Sequence, residues 1–305
     1  MRPPAESDCT RSRSTEPGSR QGRCLQLAAA VSMLTCLGAN AQEVKLDRWP
    51  PERGTSLEAL QSGARTFVNY CLNCHGASLM RWNRLHDIGL DDKQIKANLI
   101  FGNQRVTDTM TVAMHPHDAK EWFGKAPPDL SVIVRARDTV EYAGTDYIYT
   151  LLRGFYRDRS TLTGWNNVVY PNIAMPNIFW ERQGPREATL TRIEYQDVPP
   201  ADGKGPSRQR LVQTVSQFDA AGNVLMNRTE LDQGEPGFAY GFKPADPKAA
   251  AAFDAQVADL VAYLNWMSEP TATVRRQIGV WAIAFLVVFT GIGRWLNSVF
   301  WRDVR

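Results

Sequence analysis

Cysteine and histidine are scarce in this chain, with five cysteines and four histidines among 305 residues. So thin a supply of thiols excludes a disulfide-stapled scaffold. An excess of charge of one sign is also missing. Thirty-five Lys and Arg stand against 32 Asp and Glu, a net of +3, so no broad basic face is signalled and no nucleic acid is expected as a partner. There are no internal repeats and no long low-complexity tract. The 43% apolar and 22% charged content is that of a folded protein rather than a disordered one, and the length suits one large domain or two small ones.

What is present lies first at the two ends. Arg2, Arg11, Arg13, Arg20 and Arg23 precede an apolar stretch from Cys24 to Gly38, which runs into Ala39-Asn40-Ala41, a small-x-small cleavage pattern. Residues 1–41 are therefore expected to be a cleaved signal peptide, its removal taking away Cys9, Cys24 and Cys36 and leaving Cys71 and Cys74. At the other end the 17 residues Gln277 to Gly293 carry no charge, and apolar character resumes after Arg294 as far as Trp301. Ile278 to Phe300 is long enough to cross a bilayer if Arg294 snorkels, and Trp281, Trp295 and Trp301 suit interfacial belts. Residues 275–305 are expected to be a single membrane anchor with a short cytoplasmic tail, residues 42–274 an exported head. The leader holds five basic and three acidic residues and the 275–305 segment five and one, so of the chain's +3 the head is left at −3. A mildly acidic head favours a basic soluble partner.

Within the head, apolar spacing predicts helices over Ser56–Tyr70, with Thr55 or Ser56 as cap, over Asp91–Phe101, over about Thr145–Phe155 and, most strongly, over 247–267, where Phe253, Val257, Leu260, Val261 and Leu264 make one stripe. From 186 to 242 the texture changes. Thr189–Val198 and Arg210–Phe218 alternate and are rich in β-formers, and Asp219–Asn223 can turn the chain into a further strand at Val224–Thr229. The fold class expected is mainly α, with a small β insertion and one C-terminal transmembrane helix.

Cys71-Leu72-Asn73-Cys74-His75 matches Cys-x-x-Cys-His, the attachment sequence of a c-type haem. Two thiols three positions apart can each bond one vinyl-derived carbon of the macrocycle, and the adjacent imidazole then lies beneath the iron. A thioredoxin-like pair would want a strand before it, whereas here a helix precedes. Zinc would need two further ligands, and the mature chain has no other cysteine. One covalently bound haem c is expected. The opposite haem face must be served from far along the chain. His86, His115, His117, Met80, Met110, Met114, Met175, Met226 and Met267 are the candidates. Met175 is favoured because Pro171 and Pro176 keep its segment extended and out of a helix. His115-Pro116-His117 reads as a solvated loop, and Ala126–Ser131 as a stiff turn in which Asp129 caps a helix.

Further landmarks follow the pentapeptide: Trp82-Asn83-Arg84-Leu85, Trp122-Phe123-Gly124, Ala126-Pro127-Pro128-Asp129-Leu130-Ser131, Arg135-Ala136-Arg137, Asp146 to Arg153, Gly164-Trp165-Asn166-Asn167, the Met175 loop and the tryptophan-rich end. In this order, from about residue 45 to the C-terminus, the sequence resembles the cytochrome c1 family, the haem subunits of bacterial cytochrome bc1 complexes. The resemblance implies a cytochrome c-like haem domain, thioether bonds at Cys71 and Cys74, and axial ligation of the metal by His75 and Met175. It implies Pro128 packed on the haem, with Arg137 and Tyr147 near its propionates. The segment Asp138–Thr145 departs from the pattern by its length.

A haem whose two axial positions are filled changes oxidation state rather than transforming a substrate, so no catalytic residue is expected in the chain itself, and methionine raises its potential. The resemblance implies an electron-transfer subunit of a respiratory ubiquinol–cytochrome c reductase. Electrons would come from the Rieske iron–sulfur protein and pass to a cytochrome c. The anchor would lie beside cytochrome b in the bacterial inner membrane, with the head in the periplasm and the whole complex dimeric. The rivals are a membrane-anchored mono-haem cytochrome serving another enzyme and a haem-based ligand sensor.

Overall fold

The computed structural model describes residues 44–112, 114–199 and 207–302. The expected signal peptide lies outside the described residues. In chain order the elements are α1 (Leu57–Thr66), β1 (Ala77–Arg81), α2 (Asp92–Asn98), β2 (Thr109–Met110), α3 (Pro116–Phe123), α4 (Ile133–Ala136), α5 (Gly144–Arg153), β3 (Phe155–Arg157), β4 (Trp165–Asn167), α6 (Trp180–Gln183), β5 (Arg186–Val198), β6 (Arg208–Phe218), β7 (Val224–Leu231), β8 (Gly237–Pro244), α7 (Pro247–Ser268) and α8 (Ala272–Phe300).

The helical body is built on α1 crossing α7. Ser56 caps α1 by accepting the Ala59 N–H at 3.2 Å. Gly63 is needed at the crossing, since a Cβ there would run into the Asp259 carbonyl and the Tyr263 side chain. The stripe expected on α7 is buried along its whole length, from Phe253 through Val257, Leu260 and Val261 to Leu264, and it meets Leu60, Ala64, Phe67 and Val68 in the main apolar cluster. On the ~25 cal/mol per Å² scale each of these large side chains contributes about 1.5–3 kcal/mol by leaving water. Asp91 opens α2 with a capping box shared with Gln94, and Ile95, Leu99 and Ile100 all turn inward. Arg153, at the end of α5, ties three segments together, gripping Asp254 of α7 at 2.6 and 2.8 Å and Asp47 at 2.7 Å.

Three features differ from the expectations. The first helix does not run on as α-helix to Tyr70; it changes at Phe67–Cys71 into a π-helical turn. The extra residue per turn carries Cys71 to the buried side. The insertion is a long four-stranded antiparallel sheet in the order β7-β6-β5-β8, with strands of 8, 11, 13 and 8 residues in that order. Sheets of this length make the chain a mixture of helix and strand rather than plainly mainly α. Strand β8 was not foreseen. Gly237, Gly241 and Pro244 depress its strand propensity, which an edge position tolerates, and its real signal is the alternation Phe238, Tyr240, Phe242, whose rings follow one another along one face, tilted, with centroids 6.3 and 5.6 Å apart. Helix α8 begins at Ala272, just past Glu269-Pro270, and Val274–Phe300 is long and apolar enough to cross a membrane, with none of that stretch buried. The chain is thus a helical body with a sheet, carrying one apolar C-terminal helix fit to anchor it in a membrane.

Candidate haem site

The π-helical turn delivers the pentapeptide. The Leu72 N–H reaches back to the Phe67 carbonyl at 3.0 Å, and those of Cys74 and His75 to the Cys71 carbonyl at 3.0 and 2.8 Å. The backbone therefore tightens around Cys71 and turns out into β1. Neither thiol is spent on a disulfide; Cys71 is buried in the main cluster and Cys74 is half-buried. Burial, and behind it the neighbouring Cys74, pushes the Cys71 thiol up to about 12, so it rests as a neutral thiol.

His75 is fixed by a residue 53 positions away. Its Nδ1 lies 2.7 Å from the Pro128 carbonyl. A carbonyl can only accept, so Nδ1 carries the proton and Nε2 is left with a free lone pair, the arrangement seen when an imidazole serves a metal. Burial depresses the imidazole pKa below its usual value, opposed by the Pro128 hydrogen bond and the Asp129 charge, which keeps the ring neutral at pH 7. The Pro128 segment is itself pinned to β1. The Leu130 N–H donates to the Gly76 carbonyl at 2.8 Å. Asp129 accepts from the Ser78 N–H at 2.8 Å and the Ser131 N–H at 2.9 Å, and the Leu79 N–H donates to Ser131 Oγ at 3.0 Å. Asp129 is thus not the helix cap expected from the sequence; it clamps two chain segments, while α4 starts later, from Val132. Burial raises its pKa, but the hydrogen bonds from Ser131 and Ser78 outweigh it and hold the carboxyl below the usual range.

Arg137 and Tyr147 come together, the guanidinium 5.1 Å from the ring centroid, with Tyr142 stacked on Tyr147 at 5.8 Å. The long Asp138–Thr145 segment makes this possible. Asp138 accepts the Gly144 N–H at 2.7 Å, and Thr139 Oγ1 accepts the Tyr142 N–H at 3.1 Å, folding the extra residues into a turn that hands Tyr142 back to Tyr147. Arg135 instead pairs with Glu269 at 3.2 Å, at the foot of the anchor helix.

Met175 is half-buried and packs against the same apolar cluster that holds Cys71. Its segment is bent rather than extended, because Asn172 takes a left-handed φ of 57°, a conformation that costs a non-glycine residue about 1 kcal/mol unless its surroundings impose it. Here they do. Asn166 Oδ1 accepts the N–H groups of Asn167 and Asn172 at 2.9 and 2.8 Å. Asn167 Oδ1 accepts those of Val169 and Tyr170 at 2.9 and 3.2 Å. Beyond the methionine, Asn177 accepts the Phe179 N–H at 3.0 Å and donates to Gln183 at 3.0 Å, and Gln183 donates to the Phe155 carbonyl at 3.2 Å. Most of the other candidates lie in other surroundings. Met80 and Met267 are core filler, the Met110 sulfur accepts the Tyr263 hydroxyl at 3.6 Å, and Met226 lies on the exposed edge strand β7. His86 pairs with Asp92 at 2.7 Å, and His115-Pro116-His117 is not the expected loop: His115 precedes α3, and His117, exposed beside Asp118, lies in its first turn, which Pro116 opens. The four amides around Met175 were missed as functional residues; their signal is a cluster of turn-forming asparagines flanking two prolines.

The donor set suits a c-type haem: two unpaired thiols three positions apart, and next to them an imidazole with its outer nitrogen engaged and its inner one free. Comparison with known proteins agrees with that chemistry. The family model described as "Cytochrome C1 family" matches residues 55–218 and 240–304. Cytochrome c1 of Allochromatium vinosum is 32% identical over 249 residues, which cover 81% of this chain and 85% of the relative. Cytochrome c1 of Rhodospirillum rubrum is 25% identical over 272 residues, 81% and 82% of the two chains. A protein of Nitrosomonas europaea named ammonia monooxygenase gamma subunit is 38% identical over 267 residues, 88% of this chain and 92% of that one. With a family model spanning most of its length and relatives matched nearly end to end, this chain belongs to the cytochrome c1 family.

Proposed function

We propose that this chain is the electron-transfer haem subunit of a ubiquinol–cytochrome c reductase in a bacterial inner membrane. One haem c would be bound through thioether links at Cys71 and Cys74, with His75 and Met175 as axial ligands. When bound, the haem supplies reversible one-electron chemistry of its iron. The observation that carries the reading is the pairing of two free thiols with a histidine whose Nδ1–H is held by the Pro128 carbonyl. That hydrogen bond fixes the tautomer, orients the ring and raises the basicity of Nε2.

The remaining residues divide the work of holding a flat, mostly apolar ring with two charged arms. Leu72, Leu130, Tyr147, Met175 and Ile178 pack against the main cluster yet stay only partly buried, as expected of side chains that a macrocycle would cover. Pro128 presents its ring beside the carbonyl that holds His75. Arg137, with Tyr147 beneath it, offers the cation and hydroxyl that two propionates need. Met175 supplies a soft thioether, which favours the ferrous state and raises the potential to suit a donor such as the Rieske iron–sulfur protein. Electrons would leave to a basic cytochrome c drawn to the acidic head. Helix α8 would lie beside cytochrome b, with the head in the periplasm and the tail in the cytoplasm of a dimeric complex.

The test uses the purified membrane assembly. Added quinol is expected to reduce this haem, read by its α-band, no later than it reduces soluble cytochrome c. Full-rate reduction of cytochrome c while this haem stays oxidised overturns the proposal. The similarity to the protein named ammonia monooxygenase gamma subunit favours a second reading, in which the chain serves a monooxygenase. Co-purification separates the two, since the first reading requires cytochrome b and the Rieske protein to accompany the chain.

A further inference from the structure

The segment carrying Met175 is fixed at both ends and left alone in its middle. Among the described residues, no backbone–backbone hydrogen bond holds Ile173, Ala174, Met175 or Pro176. Immediately before them Asn166 and Asn167 accept four backbone N–H groups, those of Asn167, Val169, Tyr170 and Asn172. Immediately after them Asn177 accepts the Phe179 N–H. The amide nitrogens are equally committed. Asn166 donates to Asp158 at 2.9 Å, Asn167 to the Leu151 carbonyl at 2.8 Å and Asn177 to Gln183 at 3.0 Å. All four amide side chains belong to buried residues, Asn167 at 1% exposure and Asn166, Asn177 and Gln183 at 8, 3 and 3%. Buried amides so fully paired permit one arrangement, because any shift of the loop leaves a donor or acceptor without water or partner.

The frame is anchored in turn. Asn166 and Asn167 sit on β4, paired with β3, and Gln183 closes onto the Phe155 carbonyl at the start of β3. Arg186, the first residue of the four-stranded sheet, donates to the same carbonyl and to that of Arg153. Tyr156 of β3 packs on Phe218 of β6 with ring centroids 5.0 Å apart.

We propose that Asn166, Asn167 and Asn177, the last backed by Gln183, are positioning residues that hold the Met175 thioether at the haem iron. The inference rests on the reading of Met175 as an axial ligand. A methionine on a free four-residue segment would have to be ordered each time it met the iron, and an outside ligand would displace it readily. Held in this frame it is pre-ordered, and displacement must break the buried amide network.

The test uses the full-length, haem-loaded chain in detergent, with imidazole as the competing ligand. Asn166→Ala and Asn177→Ala are expected to keep full haem content by the reduced α-band. They are expected to lose at least half of the far-red thioether–iron band of the oxidised form and to bind imidazole at least tenfold more tightly. Asn177→Ser keeps an oxygen for the Phe179 N–H and should fall between the wild type and Asn177→Ala. Ser268→Ala, which removes a buried hydroxyl at the far end of α7, should change neither readout. Wild-type band and imidazole affinity in both alanine variants overturn the inference. So does an Asn177→Ser chain as weakened as Asn177→Ala, or a Ser268→Ala chain weakened equally. Retention of the far-red band in Met175→Leu overturns the ligand assignment itself instead.

Discussion

The His75 and Met175 sides of the candidate site are held by different physics. His75 leaves a π-helical turn whose Phe67, Val68 and Cys71 are embedded in the main apolar cluster, and it is locked by the carbonyl of a segment clamped to β1. Met175 sits on a bend with no helix or strand of its own, set between asparagines that work as buried hydrogen-bond hubs. One side is rigid by packing together with a polar clamp that lies open to water, which tolerates small losses. The other is rigid by polar satisfaction, in which one missing partner leaves a desolvated amide at a cost of about 1–3 kcal/mol. Under the proposed ligation, the thioether bond would fall on the side that small changes can alter.

The comparison is broken most severely at the thiols. Replacing Cys71 and Cys74 together by serine is expected to reduce covalently bound haem, read as α-band per protein, to under about a tenth, whatever the state of the Met175 side. The next largest effect falls on the sheet. Phe218→Ala removes a buried ring that packs on Tyr156 and should cost about 3 kcal/mol in denaturant unfolding. Because β3 carries the Phe155 carbonyl on which Gln183 closes, this variant should also weaken the far-red band while leaving haem content intact. Loss of haem with the band unchanged per haem would place the sheet's support on the His75 side instead.

The two sides were also unequally legible in the sequence. Cys71 to His75 declares its chemistry because spacing alone brings two thiols and an imidazole to one ring. The α7 stripe and the Ser56 cap follow from local periodicity and local hydrogen bonding. The Pro128 carbonyl could not be read, since a backbone acceptor has no side-chain signature and its partner lies 53 residues away. Asp129 reads as a cap because local turns are the ordinary use of such a residue, whereas half its bonding goes to Ser78 on another segment. The asparagines of the Met175 loop read as turn formers. Their burial, which turns them from surface residues into a frame, is a property of β3, β4 and α6 closing together. Strand β8 was hidden by two glycines, though its three aromatics alternate.

A smaller effect is expected at the clamp. Asp129→Ala withdraws a charged acceptor from the Ser78 and Ser131 N–H groups. Since the carboxylate is largely exposed and water can replace it, the cost should be about 1–2 kcal/mol, measured by denaturant titration of the haem-loaded chain. Asp129→Asn retains an oxygen and should recover part of that loss. On the His75 side this change should leave the far-red band in place, in contrast to the asparagine variants.

The smallest effect separates the two sides by pH. In the haem-free chain burial lowers the His75 pKa, so on acidification the unfolded chain takes up its proton first. Stability is then lost as pH falls below the ordinary imidazole value of about 6.5, and the loss ends at the lower folded value. With an iron on Nε2 in the folded and the unfolded chain alike, as a covalently attached haem permits, the proton has no place to go in either state, so this window should vanish in the haem-loaded chain. At the Met175 side Asp158, which accepts from Ser160 and Asn166, is raised by burial but lowered more by these hydrogen bonds, for a net depression. Its contribution is complete above the ordinary carboxylate value of about 4 and is lost as pH falls through the folded value, with or without haem. Thermal melts of both forms between pH 7 and 3 should therefore differ in slope just below pH 6.5, where only the haem-free chain loses stability, and both should lose stability below about pH 4. Asp158→Asn should reduce the slope of the lower window only, the rest being supplied by Asp129 and the other carboxylates held below their usual range. An upper window that persists in the haem-loaded chain would mean that His75 still takes up a proton, so that its nitrogen leaves the metal on unfolding or never reaches it.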